Sequence, residues 1–182
     1  MINISHIAIP YSKALFDFSI ENKVLEETFK EIELVDSICK SNQDFRMMLK
    51  SPIIHTSKKI KILQSIFGKN VTKLTLTFLS IIARKKRESF IPDICLAFIE
   101  LYKDHKGILP TCVKTAGPMS DLIRKQVIEV MKNFTGKEIE LMGVVKEELI
   151  GGFILQWNDK QYDASILKQI KEMKKNVAGS DL

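Results

Sequence analysis

The chain has 182 residues, of which 45% are hydrophobic and 27% charged, a balance that excludes global disorder. Its net charge of +6 admits nucleic acid or an anionic membrane as partner but selects neither, because acidic residues are interspersed with the lysines. Cys39, Cys95 and Cys112 and His6, His55 and His105 are scattered, so neither a disulfide framework nor a metal site is expected, and no cofactor.

No apolar run reaches the roughly 20 residues that span a bilayer. Met1 to His6 has no basic region or cleavage site of a secretory signal. The expectation is a soluble protein that stays in its compartment of synthesis.

The first helix is predicted over about Ser5 to Glu21, with an irregular or kinked turn at Pro10. Ile4, Ile7, Ala8, Tyr11, Ala14, Leu15 and Phe18 form one broad apolar stripe, while Ile9, Phe16 and Ile20 fall nearly opposite. Such a helix is central in its domain or docks something with its second face. A second helix is predicted over Val24 to Ser41, and a short third over Asp44 to Lys50, ended by Ser51-Pro52. Thr56 is placed to cap a fourth, which carries Ile60, Leu63, Ile66 and Phe67 and stops at Gly68. Its lysines Lys58, Lys59 and Lys61 read as a solvated face.

A fifth helix is predicted over Val71 to Lys86. Val71, Leu74, Phe78, Ile81 and Ile82 share one face, and Leu76, Leu79 and Ala83 lie off it, so this helix too has more apolar surface than one stripe. The basic run Arg84 to Arg87 suits the negative end of the helix dipole. A sixth helix is predicted over Ser89 to Lys106, with Pro92 in its first turn and Ile91, Ile94, Cys95, Phe98, Leu101 and Tyr102 packing.

Beyond Gly107 the period shortens. Leu109 to Ala116 reads as a strand. Ser120 is placed to cap a helix with Ile123, Val127, Val130 and Phe134 on one side. Glu138 to Val145 alternates as a half-exposed strand does. After Gly151-Gly152, Phe153, Leu155 and Trp157 share one face of a strand, with a hairpin turn at Asn158-Asp159-Lys160 and Tyr162 on the return. A last helix starts at Ser165, with Ile166, Ile170, Met173 and Val177 recurring. The expected fold is mainly α: a six-helix bundle over residues 1–106, then a small α/β domain of order β-α-β-β-α over residues 107–182.

No catalytic constellation is present, whether nucleophile elbow, phosphate loop or zinc-peptidase helix. Glu147 and Glu148 are merely adjacent, and helix capping accounts for Asp163 and Ser165. The chain therefore reads as a binding protein and not an enzyme. An alternative is a basic α/β nucleic-acid-binding protein, though it lacks strand aromatics of the RNP kind and a GxxG loop.

Five stretches, in order, resemble the delta subunit family of the F-type ATP synthase, called the oligomycin-sensitivity-conferring protein in mitochondria. They are Pro10-Tyr11-Ser12-Lys13-Ala14-Leu15-Phe16; Leu49-Lys50-Ser51-Pro52-Ile53-Ile54 with Lys58-Lys59; Phe78-Leu79 through Arg87 with Phe90-Ile91-Pro92-Asp93-Ile94; Leu149-Ile150-Gly151-Gly152; and Tyr162-Asp163-Ala164-Ser165-Ile166. Lys146 stands where the family usually has Asp, and Ala164 where it usually has Gly.

The resemblance implies a stator subunit without catalytic residues. Its helical domain would sit on the catalytic head and hold the N-terminal helix of an alpha subunit between the first and fifth helices. The residues expected there are Tyr11, Ala14, Leu15 and Phe18, opposite Leu76, Leu79 and Ala83. Leu149, Ile150, Gly151, Gly152, Asp163 and Ser165 would be the structural signature of the second domain, which would bind the C-terminal end of the stalk b subunit. No nucleic acid and no homo-oligomer is implied. The subunit would lie on the cytoplasmic face of a bacterial inner membrane, or in a plastid at the thylakoid, attached only through the complex.

Overall fold

Pro10 is the third residue of its helix, where it costs nothing: the first four N–H groups of any helix lack an intrahelical acceptor, so the missing proton is not missed. The helix, α1 (Ala8–Glu21), therefore starts later than expected, and Pro10 belongs to its first turn. The computed structural model describes residues 5–170. The chain divides into two compact units, Met1–Lys103 and Asp104–Leu182.

In the first unit α1 is followed by α2 (Leu25–Ser41), α3 (Gln43–Lys50), α4 (Thr56–Phe67), α5 (Lys73–Arg84), a 3-10 turn (Glu88–Phe90) and α6 (Ile91–His105). Several helix ends are tied by side chains from elsewhere. The Arg46 guanidinium donates to the carbonyls of Cys39 (2.5 Å) and Lys40 (2.8 Å), closing α2. The Asn42 side chain accepts from the Phe45 amide at 2.9 Å and caps α3. Thr56 does not cap α4 but is its first residue; His55 holds the cap position and makes no capping bond with its side chain. At α5 the cap is borrowed: the buried Glu31 carboxylate of α2 accepts from both the amide and the hydroxyl of Thr72. An anion at a helix N-terminus is favourable, and here it also fixes α5 against α2.

These helices share one core. Ile32, Val35, Leu63, Phe67, Ile82, Ile91 and Phe98 are fully buried, and Phe16–Phe98 and Phe45–Phe67 meet edge to face, each with centroids 5.9 Å apart. The inner side of α1 includes two serines, Ser12 and Ser19, both fully buried. Their hydroxyls donate to the carbonyls of Ile9 (2.9 Å) and Leu15 (2.7 Å), which satisfies them within the helix and leaves it thin enough for close packing. Burial holds the Cys95 thiol well above its ordinary range and pushes Cys39 up to about 12, so both are inert packing groups.

Tyr102 supplies a pH dependence. Its hydroxyl donates to the Glu26 carboxylate at 2.6 Å, and its ring stacks on Phe29 at 3.8 Å. That bond needs the phenol proton, and with burial it pushes Tyr102 up to about 12 from its ordinary 10. A raised folded value means that the contribution is complete below pH 10 and lost as pH rises from 10 to 12. Stability toward urea should therefore fall across that window, and the fall should shrink in Tyr102→Phe; an identical pH profile in the variant would refute the assignment.

In the second unit, β1 (Ile108–Thr115), α7 (Asp121–Thr135) and β2 (Glu138–Val145) form a β-α-β element. A 3-10 turn (Glu147–Leu149), β3 (Phe153–Trp157), β4 (Lys160–Asp163) and helical residues 166–170 follow. The sheet order is β2-β1-β3-β4, with β1 parallel to β2 and antiparallel to β3. This corrects the expected order: the return of the hairpin is a strand in its own right, paired from Ile154↔Asp163 to Trp157↔Lys160. Leu109, Val113, Leu141 and Leu155 bury one sheet face against Met131 of α7. The packing side of α7 also departs from expectation. Val127 packs on the core, but Val130 and Phe134 are exposed, because the sheet meets the neighbouring stripe of Val127, Ile128 and Met131. Ser120 caps α7 as read, accepting from the Ile123 amide, and Gly136 ends it in the left-handed region. Met173 and Val177, expected in the last helix, lie outside the described residues.

Candidate functional site

Between α1 and α5 lies an open apolar groove of about 700 Å³. Ala14, Leu15 and Phe18 line it from α1, Leu74, Thr77, Phe78 and Ile81 from α5, and Asn22, Val24 and Lys73 close one end. Leu15 is buried, whereas Phe18 is 50% and Ile81 45% exposed. Large apolar side chains left half in water on facing helices form a cleft that a third apolar surface would complete. The two helices run antiparallel along it: Arg87, just past the end of α5, lies over the ring of Tyr11 near the start of α1, 5.7 Å from its centroid.

The expected residues divide. On α1, Ala14, Leu15 and Phe18 line the groove, while Tyr11 is half-buried against the helical core and carries Arg87. On α5 the reading of Leu76, Leu79 and Ala83 is corrected. Leu79 and Ala83 are 1% and 0% exposed inside the core, and Leu76 packs half-buried against it, so none of the three offers the groove a surface. Both stripes of α5 are apolar. Thr75, fully buried, marks the inward one, and a threonine gives no such signal from its type. The signal that was present is the spacing of Leu74, Phe78 and Ile81, at i, i+4 and i+7.

The glycine pair of the second unit is a clamp. Ile166 N–H donates to the Gly151 carbonyl (3.1 Å) and Ala164 N–H to the Phe153 carbonyl (2.9 Å), which sews the start of β3 to the chain beyond β4. Gly152 has φ +78°, and a Cβ there would lie 2.3 Å from the Ala164 carbonyl oxygen. Asp163 accepts from the Ser165 amide at 2.9 Å, and the Ser165 hydroxyl, on a residue 2% exposed, accepts from Lys168 N–H at 3.2 Å, capping residues 166–170. Leu149 is buried beneath this knot. Ile150 is 66% exposed at φ +62°, a strained setting for a β-branched residue. Ala164 keeps a negative φ, so alanine in place of the family's glycine costs no backbone strain. Lys146 donates its amide to the Thr115 carbonyl at 2.7 Å, a bond independent of its side chain. The two halves of the signature thus meet in space as structural groups.

The comparisons agree with this architecture. The chain matches the family described as ATP synthase delta (OSCP) subunit over residues 7–177. It is 30% identical over 170 residues to "ATP synthase subunit delta" of Cytophaga hutchinsonii, covering 93% of both chains. It is 31% identical over 179 residues to that of Clostridioides difficile, covering 98% of both. With the chloroplastic delta subunit of Emiliania huxleyi it shares 31% identity over 168 residues, covering 92% of this chain and 93% of the relative. A chain of the Toxoplasma gondii mitochondrial ATP synthase hexamer superposes with a TM-score of 0.75 at 20% identity, over 96% of this chain and 98% of that one, a likeness of fold. A family match over nearly the whole sequence, together with relatives of the same length, establishes that the chain belongs to the ATP synthase delta (OSCP) subunit family, the non-catalytic stator subunits of the peripheral stalk.

Proposed function

We propose that this subunit ties the catalytic head to the stalk by seating the amphipathic N-terminal helix of an alpha subunit in the α1–α5 groove. The six helices act as one bundle for this purpose, and the α/β unit holds the C-terminal end of the b subunit. So placed, the subunit stops the head from turning with the central shaft, and rotation is converted to ATP synthesis. Among the described residues no helix is long and apolar enough to cross a membrane, and the attachment proposed is through the complex. The relatives include bacterial and chloroplast subunits, and the cytoplasmic face of a bacterial membrane and the thylakoid are the two settings proposed. The role calls for no second copy of this chain.

The observation that carries the reading is the open groove with Phe18 and Ile81 half-exposed above Leu15. An amphipathic helix with anchors at i, i+3, i+4 and i+7 fits such a cleft. Covering the remaining surface of Phe18 and Ile81 is worth about 1 kcal/mol each, so affinity needs several anchors at once.

The test is calorimetry with the alpha N-terminal peptide. Ala14→Asp puts a carboxylate where the peptide would desolvate it, and binding should weaken roughly 100-fold with the circular dichroism of the chain unchanged. Phe18→Ala should cost roughly tenfold by loss of contact area alone. Wild-type affinity in both variants would refute the groove assignment.

A further inference from the structure

The groove is apolar along its length but not electrically symmetric. On α5 its lining follows two rows, Leu74, Phe78 and Ile81, and Thr77 and Ile81. Continued by one helical turn, these rows reach Lys85 and Arg84, so both cations stand at the end of the surface that lines the cleft. Arg84, Lys85, Lys86 and Arg87 are all exposed, and none has a carboxylate partner among the described residues; Arg87 lies on Tyr11. The other end carries Glu21 and Lys23, where α1 closes, and Lys73, opening α5, so that one acid offsets part of the positive charge there. The positive charge along the groove is therefore concentrated at the Arg84–Arg87 end.

We propose that this charge cluster sets the direction of the bound helix, with the helix's first turn, bearing carboxylates, against Arg84 and Lys85. The inference rests on the reading that the groove seats an amphipathic helix, and adds its polarity and charge pattern. Carboxylates are stabilised in a helix's first turn by the dipole, so the end of the occupant that best carries acids is its N-terminus. That end would also face the C-terminal carbonyls of α5, opposing the two dipoles. The occupant then runs antiparallel to α5 and parallel to α1. From Lys73 to Lys85 the groove is about 18 Å long, three turns of helix. The partner segment has acidic residues in its opening turn and apolar anchors over the next two.

The experiment uses the full chain and two synthetic amphipathic helices of roughly 18 residues with identical composition. One carries its two glutamates in the first turn, the other in the last. Calorimetry at low salt should show the first binding roughly tenfold tighter, and the difference should close near 0.5 M salt, where screening is short-ranged. In the double variant Arg84→Glu/Lys85→Glu, surface changes that leave the core alone, the order of the two peptides should reverse. A nitroxide on the N-terminus of the tighter peptide should broaden the amide resonance of Lys85 and spare that of Lys73. Equal affinities for the two peptides, an order unchanged by charge reversal, or broadening at Lys73 would overturn the assigned direction while leaving the groove reading intact. If neither peptide binds, the groove reading falls and the direction with it.

Discussion

Gly152→Ala should abolish stable structure in the α/β unit and with it binding of the stalk, whereas Gly151→Ala should be tolerated. The two glycines are adjacent, but their surroundings differ. At Gly152 a Cβ would lie 2.3 Å from the Ala164 carbonyl oxygen and 2.9 Å from the Ser165 Cα, both backbone atoms held by hydrogen bonds on either side. The φ of +78° adds strain that an L side chain does not relieve. At Gly151 the nearest atom is the Ile166 Cδ1 at 2.6 Å, the far end of a side chain that can turn away. A cost of about 3–5 kcal/mol at Gly152 follows from clash and strain together. The buried apolar core of this unit is Leu109, Val113, Met131, Leu141 and Leu155, too small to absorb such a loss. Limited proteolysis should cut the Gly152→Ala chain between residues 147 and 166. Its affinity for a fragment from the C-terminal end of the b subunit should vanish, and groove-peptide binding should persist. Wild-type protease resistance in Gly152→Ala would contradict this.

The second large effect is expected at Lys59. Its ammonium, 3% exposed, donates to the Leu49 carbonyl at 2.8 Å and to Glu88 Oε1 at 2.6 Å. Lys59→Met would leave the Glu88 carboxylate buried without its cation, and Oε2 of that carboxylate already has no hydrogen-bond partner among the described residues. Removing one member of a buried pair costs about 3–5 kcal/mol, most of it the stranded charge. The helical unit should melt roughly 15 °C lower by circular dichroism. Lys59→Met/Glu88→Leu removes the stranded charge as well and should recover most of the loss. If the double variant is no more stable than the single one, the pair is not what holds this corner.

The order and kind of elements are legible because most follow from period and punctuation. Helical spacing identifies α1 and α5 as apolar on two sides, and Ser120, Gly136 and the Asn158-Asp159 turn mark their own boundaries. What escapes the sequence is decided at a distance. Lys59 reads as one of three solvated lysines because its partner lies 29 positions away. Glu31 of α2 caps α5 at a separation of 41, which no local pattern announces. Which of the two apolar stripes of α5 turns inward is hidden for a related reason: Thr75 is a core residue by burial and polar by type, as Ser12 and Ser19 are on α1. β4 gives no strand signal of its own because Lys160-Gln161-Tyr162-Asp163 is a short polar edge with no alternation to read.

Trp157 is the only tryptophan in the chain, and it packs on the core of the α/β unit with its ring edge-on to Phe134, centroids 6.5 Å apart. Indole fluorescence therefore reports that unit alone, while the helical ellipticity comes mainly from α1 to α6. A single denaturant titration watched by both signals follows each unit through its own reporter. Gly152→Ala should move the emission curve and spare the ellipticity; Lys59→Met should do the reverse. The position of one aromatic ring turns an unlabelled chain into its own two-channel reporter.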